Sequence, residues 1–220
     1  MNCVLSIIAP QYLPQLTEIC KQLQLPMNVI FHGHGTAVPS MLDLLGIESN
    51  ERRIVLTVAN REKTEQLIRT EKNQFFIGVP GHGIIISVPI KSIGGGSTLA
   101  YLNAGQTPAK QIPNIDPSYE LLIVIANEGR TDLVMNAARS AGAAGGTVLH
   151  GLGTGASDEK FMNVSIAQEK ETVLIVAKAE NKARIMQTIL QKAGPSSEAG
   201  SVVFSLPINE VAGFGMFSEQ

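Results

Sequence analysis

The sequence repeats itself once, and this internal repeat constrains the fold more than any other feature. The segment Val29–Thr36 (VIFHGHGT) resembles Thr147–Thr154 (TVLHGLGT) at an offset of 118 residues. The same offset holds without a gap as far as Pro89 and Pro207. A period this long is typical of two complete domains rather than of a solenoid.

The hydrophobic pattern of each half predicts six elements in the order strand, helix, strand, strand, helix, strand. In the first half the strands are predicted over Cys3–Ala9, Met27–Thr36, Arg53–Ala59 and Gly83–Ile90, with one helix from Leu13 to Leu23 and another over Arg61–Lys72 capped by Asn60. The second half repeats this with Glu120–Asn127, Thr131–Ala141, Gly146–Thr154, Thr172–Lys178, Asn181–Ala193 and Ser201–Ile208.

This order is the split β-α-β arrangement, so we predict an α+β fold of two tandem ferredoxin-like (β-α-β-β-α-β) domains. Right-handed crossovers would place the helices of each domain on one face of an antiparallel sheet and leave the other face apolar and bare. The predicted domains are residues 1–96 and 119–217. A glycine- and proline-rich linker, residues 97–118, joins them, and its middle could pack on a domain.

The amino-acid composition limits the classes of function that the chain can have. Of the 220 residues 44% are hydrophobic and only 16% are charged, which favours subunit association. The net charge of −2 and the absence of a basic run exclude an ordinary nucleic-acid footprint. Cys3 and Cys20 are predicted to be buried reduced thiols, and the N-terminus has no signal-peptide pattern, so we predict a cytoplasmic protein.

Glycines gather at two kinds of place in the sequence. They end the predicted second strand of each half, where Thr36 and Thr154 follow, and they precede the fourth strand of the first half as Gly78-Val79-Pro80-Gly81-His82-Gly83. Such glycines either let a ligand phosphate approach the backbone or allow close packing at a turn or subunit contact. The candidate effector-binding residues are Gly33, Gly35, Thr36, Gly78, Gly81, His82, Gly83, Gly151, Gly153 and Thr154.

In order and spacing these motifs resemble those of the PII signalling proteins. The strand-end glycines correspond to the place before the family's T-loop, the Gly78–Gly83 run to its glycine-rich B-loop, and Pro89–Ile93 and Pro207–Val211 to its closing Pro-x-x-x-Val segment. The resemblance covers both halves outside the linker. It predicts T-loops at Ala37–Asn50 and Gly155–Gln168.

The resemblance implies a non-catalytic regulator that assembles as a trimer or pseudo-trimer of domains. Such a regulator binds ATP, ADP or cyclic AMP in clefts between domains. Its partner would be a membrane transporter or an enzyme of nitrogen or carbon metabolism. The residues alone likewise show no catalytic constellation, since no Ser-His-Asp or Cys-His spacing is present.

Departures from the family leave two alternatives open. Ile84 stands where nucleotide-binding relatives carry a basic residue, and the second half's loop, Gly194–Gly200, carries an acid that would repel phosphate. A ligand-free oligomeric module is therefore one alternative. The other is a metal-ion binding protein similar to the CutA proteins, since His32 and His34 share a face of their strand; we favour packing or hydrogen bonding for these histidines.

Overall fold

The computed structural model describes residues 1–37, 49–79, 81–93, 100–102, 115–152, 160–161, 164–165 and 169–213. Contacts divide the chain into two compact units. Unit 1 comprises Met1–His32, Val38–Tyr119 and Pro207–Gln220, and unit 2 comprises Gly33–Ala37 and Glu120–Leu206. Both are mixed α+β structures with antiparallel strand pairs and packed helices.

The described residues of the first half form four strands and two helices, which begin and end close to the predicted residues. The elements are β1 (Asn2–Ile8), α1 (Leu13–Gln22), β2 (Asn28–Gly35), β3 (Glu51–Ala59), α2 (Arg61–Gln74) and β4 (Gly83–Pro89), with a 3-10 turn at Pro10–Tyr12 before α1. Pro14 lies in the first turn of α1, where its missing N–H costs nothing. The Asn60 side chain accepts a hydrogen bond from the Lys63 N–H at 2.9 Å, so the predicted cap of α2 is confirmed.

The second half repeats this order and adds three short strands. Its elements are β5 (Asp116–Asn127), α3 (Thr131–Ser140), β6 (Thr147–Leu152), β7 (Lys160–Phe161), β8 (Val164–Ser165), β9 (Glu169–Lys178), α4 (Ala179–Ala193), β10 (Val202–Ile208) and β11 (Glu210–Ala212). Strand β5 begins inside the segment predicted as a linker. Tyr101 donates to the Pro26 carbonyl, and Leu102 is buried, so part of that segment packs on unit 1.

In unit 1 the strands follow the order β2, β3, β1, β4, β11. Strand β1 pairs antiparallel with β3 and with β4, so that Val4 lies opposite Thr57 on one side and Ser87 on the other. Helices α1 and α2 cover one face, where side chains from both helices and three strands form the core, among them Val4, Ile8, Leu16, Ile19, Val55, Leu67, Ile68 and Ile85.

The face of this sheet away from the helices is less bare than the sequence predicts. Ile7 and Ile54 lie opposite each other on that face and are 3% and 1% exposed, and Ile86 is fully buried. Cys20 is buried as predicted, whereas Cys3 is only half-buried; both are free thiols.

In unit 2 the strand order is β10, β5, β9, β6, and the end of β2, Gly33–Gly35, pairs antiparallel with β6. Every second residue of β5 and β9 joins a core with the inner faces of α3 and α4. The core side chains include Leu122, Val124, Val134, Met135, Val148, Val173, Ile175, Ile185 and Ile189.

Candidate functional site

The glycine run before β4 forms a tight turn in unit 1. Gly78, Gly81 and Gly83 have φ angles of 126°, 87° and 147°, which side chains with a Cβ rarely adopt. The turn is held by hydrogen bonds from the Val79 N–H to the Phe76 carbonyl at 3.0 Å and from the His82 N–H to the Val79 carbonyl at 3.1 Å. Pro80 lies outside the described residues.

Packing as well as conformation requires glycine at position 83. A Cβ there would lie 2.4 Å from the Ile7 carbonyl oxygen and 3.1 Å from the Ile77 side chain. Gly83 is thus fixed by the close approach of the β1 backbone. The packing of the fold is therefore enough to explain why this position of the motif is a glycine.

His82 is held by an aromatic cluster that the sequence does not reveal. Its Nδ1 lies 2.8 Å from the Phe75 carbonyl, which can only accept, so Nδ1 carries the proton. The Tyr12 hydroxyl oxygen lies 3.2 Å from the same nitrogen, and the Tyr12 ring stacks on Phe75 at 5.0 Å. One ring nitrogen of His82 therefore contributes to the packing of this turn.

The strand-end glycines of β2 belong to unit 2. Gly33 lies opposite Leu149, and Gly35 lies opposite Thr147. Thr36 continues this attachment: its N–H donates to the Gly146 carbonyl at 3.0 Å, and its hydroxyl accepts from the Gly146 N–H at 2.9 Å. The Arg139 guanidinium donates to the Thr36 carbonyl. Gly33 and Gly35 therefore lie in a paired strand, and Thr36 extends that pairing.

The counterparts in β6 lie in different surroundings. Gly151 lies opposite Lys170, and a Cβ added to Gly151 would meet no atom of the described residues within 4 Å. Gly153 and Thr154 lie outside the described residues, as do 38–48 of the first predicted T-loop. Of the second predicted T-loop, the structure describes the short pair β7 and β8, in which Lys160 lies opposite Ser165.

The loop of the second half that corresponds to Gly78–Gly83 is a compact turn at Gly194–Gly200. The Glu198 carboxylate lies 3.3 Å from an Arg130 guanidinium nitrogen. The Asn127 side chain donates to the Glu198 carbonyl at 3.1 Å and accepts from Lys170 at 2.6 Å. Arg130 and the acid that was expected to repel phosphate therefore face each other across this turn.

A pair of histidines lies across strands β2 and β6. His34 lies beside His150, with Nδ1 of His34 3.4 Å from Nε2 of His150 and ring centroids 5.2 Å apart. His32 is exposed on β2. Behind His150, Nδ1 lies 3.8 Å from Oε1 of the buried Glu171. Burial and the neighbouring His150 both lower the pKa of His34, so its neutral form is favoured near neutral pH.

Glu171 is held in place by the start of α3. Its Oε2 accepts hydrogen bonds from the Thr131 N–H at 3.1 Å and from the Thr131 hydroxyl at 2.6 Å. The sequence motifs do not point to Glu171 or Thr131, and only the charged run at the start of β9 hints at Glu171. Within the described part of the chain there is no group of three or more His, Cys, Asp or Glu side chains suited to a metal ion.

The chain was compared with curated proteins, solved structures and protein-family models. No curated protein matches the chain. Among solved structures, that of Arabidopsis thaliana PII bound to citrate is 22% identical, covers 43% of this chain and 78% of its own, and has a TM-score of 0.34. Among the described residues no helix is long and apolar enough to cross a membrane. Residues 119–214 match the family model described as nitrogen regulatory protein P-II. The resemblance to the PII proteins that the motifs predict is thereby confirmed over residues 119–214.

Proposed function

We propose that this protein is a PII-like, non-catalytic signal-transduction regulator that senses a small effector and reports it to a partner protein. The observation that carries the proposal is the match of residues 119–214 to the P-II family. The first half has the same order of strands and helices, which supports two tandem domains, 1–96 and 119–217, with a linker between them. Fold alone would not give this function, because one fold serves many.

The glycine turn at Gly78–Gly83 is the proposed effector site of the first domain. Within the described residues no hydrogen bond is made by the Gly81 N–H, and the turn is partly exposed. Backbone N–H groups in such a turn attract anions, since they carry partial positive charge. We propose an adenine nucleotide, namely ATP, ADP or cyclic AMP, with Gly78, Gly81, His82 and Gly83 in contact with it.

Strand-end residues complete the proposed binding set. Gly33, Gly35 and Thr36 already make backbone contacts in unit 2, so we assign them the task of shaping a cleft. No described residue lies within 4 Å of the place of a Cβ at Gly151, which supports its assignment to the binding set. Gly153 and Thr154 stay in the proposal on the basis of the sequence motif. The apolar composition supports a trimer or pseudo-trimer, and the proposed partner is a transporter or a metabolic enzyme in the cytoplasm.

The test is a thermal-shift titration with ATP, ADP, AMP and cyclic AMP. A ligand that binds only the folded state stabilises it by about 2.7 kcal/mol at a hundredfold excess over its dissociation constant. We expect one adenine nucleotide to raise the midpoint in the wild type and Gly81→Asp to abolish the shift.

Gly129→Asp is the matched control. Gly129 also has a positive φ, of 72°, and a Cβ there would meet nothing within 4 Å, but it lies in unit 2. This variant should keep the nucleotide shift. If no nucleotide shifts the wild type, effector sensing through adenine compounds is wrong; if Gly81→Asp responds like the wild type, the site is elsewhere.

A further inference from the structure

Two imidazole rings and a fixed carboxylate meet on unit 2 in an arrangement that the proposed regulatory function does not use. Nδ1 of His34 and Nε2 of His150 are 3.4 Å apart, which is long for a hydrogen bond between ring nitrogens. Two nitrogens bound to one tetrahedral ion at 2.0–2.1 Å are separated by about 3.3–3.4 Å. The two rings are therefore already spaced as ligands of a single ion.

From this spacing we propose that His34 and His150 bind one divalent transition-metal ion, with Cu²⁺ preferred over Zn²⁺. Imidazole nitrogen suits both ions, and for a given set of nitrogen ligands Cu²⁺ binds more tightly. Within the described residues the two rings are the protein ligands, and water completes the coordination. This is an open, exchangeable site, in keeping with the absence of larger ligand groups among the described residues.

Glu171 lies behind the second ligand as its electrostatic partner. Strand pairing places it directly opposite His150, with Oε1 3.8 Å from Nδ1, the ring nitrogen that does not face His34. The other carboxylate oxygen is fixed by Thr131, and the side chain is 7% exposed. A histidine that binds a metal usually donates its second N–H to such a carboxylate, which fixes the tautomer and strengthens the ligand.

Negative charge gathers around the two rings. Glu128 shares a side-chain hydrogen bond with Glu169 and lies within electrostatic reach of Glu171 and His150. The nearest lysine in sequence, Lys170, is held at 2.6 Å by the Asn127 side chain. A field of this sign attracts a cation to the site and raises its local concentration.

The first half of the chain provides a comparison within the same molecule. At the repeat offset, His150 corresponds to His32, but Glu171 corresponds to Arg53, and His34 corresponds to Leu152. The first half thus has one histidine of the pair with a cation where the second half has the carboxylate. The complete set occurs on unit 2 alone among the described residues, and this distinguishes it from a repeat feature of the fold.

The experiment is isothermal titration of untagged full-length protein with Cu²⁺, Zn²⁺ and, as a negative control, Mg²⁺. We expect one Cu²⁺ per chain with weaker Zn²⁺ binding and no Mg²⁺ binding. His34→Leu, which copies the residue at the equivalent position, and His150→Gln should each weaken Cu²⁺ binding at least about tenfold, and Glu171→Gln by about 10–100-fold.

His32→Gln is the matched control, since His32 lies on the same strand as His34. It should leave Cu²⁺ affinity unchanged. Loss of binding in His32→Gln but not in His150→Gln would assign the ion to the pair suggested by the sequence and overturn the proposal. Two other results would overturn it as well. One is a wild-type protein that binds no Cu²⁺, and the other is unchanged Cu²⁺ affinity in both His34→Leu and His150→Gln.

A second measurement needs no variant and so does not depend on how the variants fold. In the NMR spectrum of wild-type imidazoles, substoichiometric Cu²⁺ should broaden the resonances of His34 and His150 and spare those of His82. Broadening of His82 with His34 and His150 unaffected would contradict the proposal. Neither experiment involves a nucleotide, so its outcome is independent of the proposed effector function.

Discussion

Gly83 and Gly151 are both motif glycines, but the space around them differs. Gly83 combines a φ of 147° with a backbone oxygen 2.4 Å from the place of a Cβ, whereas nothing lies within 4 Å of that place at Gly151. We expect Gly83→Ala to destabilise the protein by about 2–4 kcal/mol and Gly151→Ala to stay within about 0.5 kcal/mol of the wild type. Urea denaturation measures the free energy of unfolding of both variants. An equal loss of stability in the two would mean that the turn at Gly83 relaxes to accept a side chain.

Glu71 is a buried acid whose ionisation opposes folding. It is fully buried on α2, its Oε1 accepts from the Ser6 hydroxyl at 2.8 Å, and its Oε2 has no hydrogen-bond partner among the described residues. Burial raises the pKa of Glu71 from 4.5 to about 8, although the Ser6 hydrogen bond partly opposes this. The folded state therefore binds the proton more tightly than the unfolded state does.

The Glu71 contribution to the free energy of unfolding should therefore decrease as the pH rises. The contribution of Glu71 is fully present below pH 4.5 and is lost as the pH rises towards about 8. Across that window the free energy of unfolding of the wild type should fall relative to Glu71→Gln. Glu62→Gln, on the exposed side of the same helix, should keep the wild-type slope. Parallel curves for the wild type and Glu71→Gln would show that Glu71 does not titrate there.

Among the elements, the two long helices begin in different ways. The Asn60 side chain caps α2 by accepting from the Lys63 N–H, while Lys178 precedes α4 without a side-chain cap. Asn60→Ala should cost about 1 kcal/mol of stability, and Lys178→Ala should change it by less than about 0.5 kcal/mol. Thermal and urea unfolding measure the difference. If Lys178→Ala lost as much stability as Asn60→Ala, the hydrogen bond of the Asn60 cap would not be the cause of the loss.

Elements such as these could be predicted because their signals are local. Short apolar runs and β-branched residues predicted the strands, and Asn60 and Pro14 marked where α2 and α1 begin. Contacts between distant segments carry no local signal. The pairing of Gly33–Gly35 with β6 and the cluster of Tyr12 and Phe75 around His82 depend on tertiary packing.

The same limit applies to the histidines. Strand alternation could place His32 and His34 on one face, but it could not show that His150 lies beside His34. Nor could it show that Glu171, fixed by the first turn of α3, lies behind His150. Those neighbours come from strand register and helix placement, which no short motif encodes.

At the scale of the whole molecule, the apolar side of the unit 2 sheet bears on assembly. Val203 packs on the helix-covered core, so its neighbours Val202 and Phe204 face the opposite way and are 55% and 40% exposed. Ile125 on the adjacent strand β5 is also 40% exposed. Such a patch favours association with another subunit.

Phe204→Lys should therefore lower the molar mass measured by light scattering at concentrations where the wild type is assembled, because a charge would be buried at the interface. Leu190→Lys replaces an equally exposed side chain, 47% exposed, on α4 and should leave the mass unchanged. A wild type that has the mass of a single chain would contradict association itself.

Strand β11 has a consequence for how the chain folds as it is made. It pairs with β4, with Val211 opposite Ile86, and so completes the edge of a unit whose other strands come from the first half of the chain. These strands are synthesised first, and β11 follows only after the strands of unit 2. During translation the edge of β4 therefore remains unpaired with β11 until unit 2 has been synthesised.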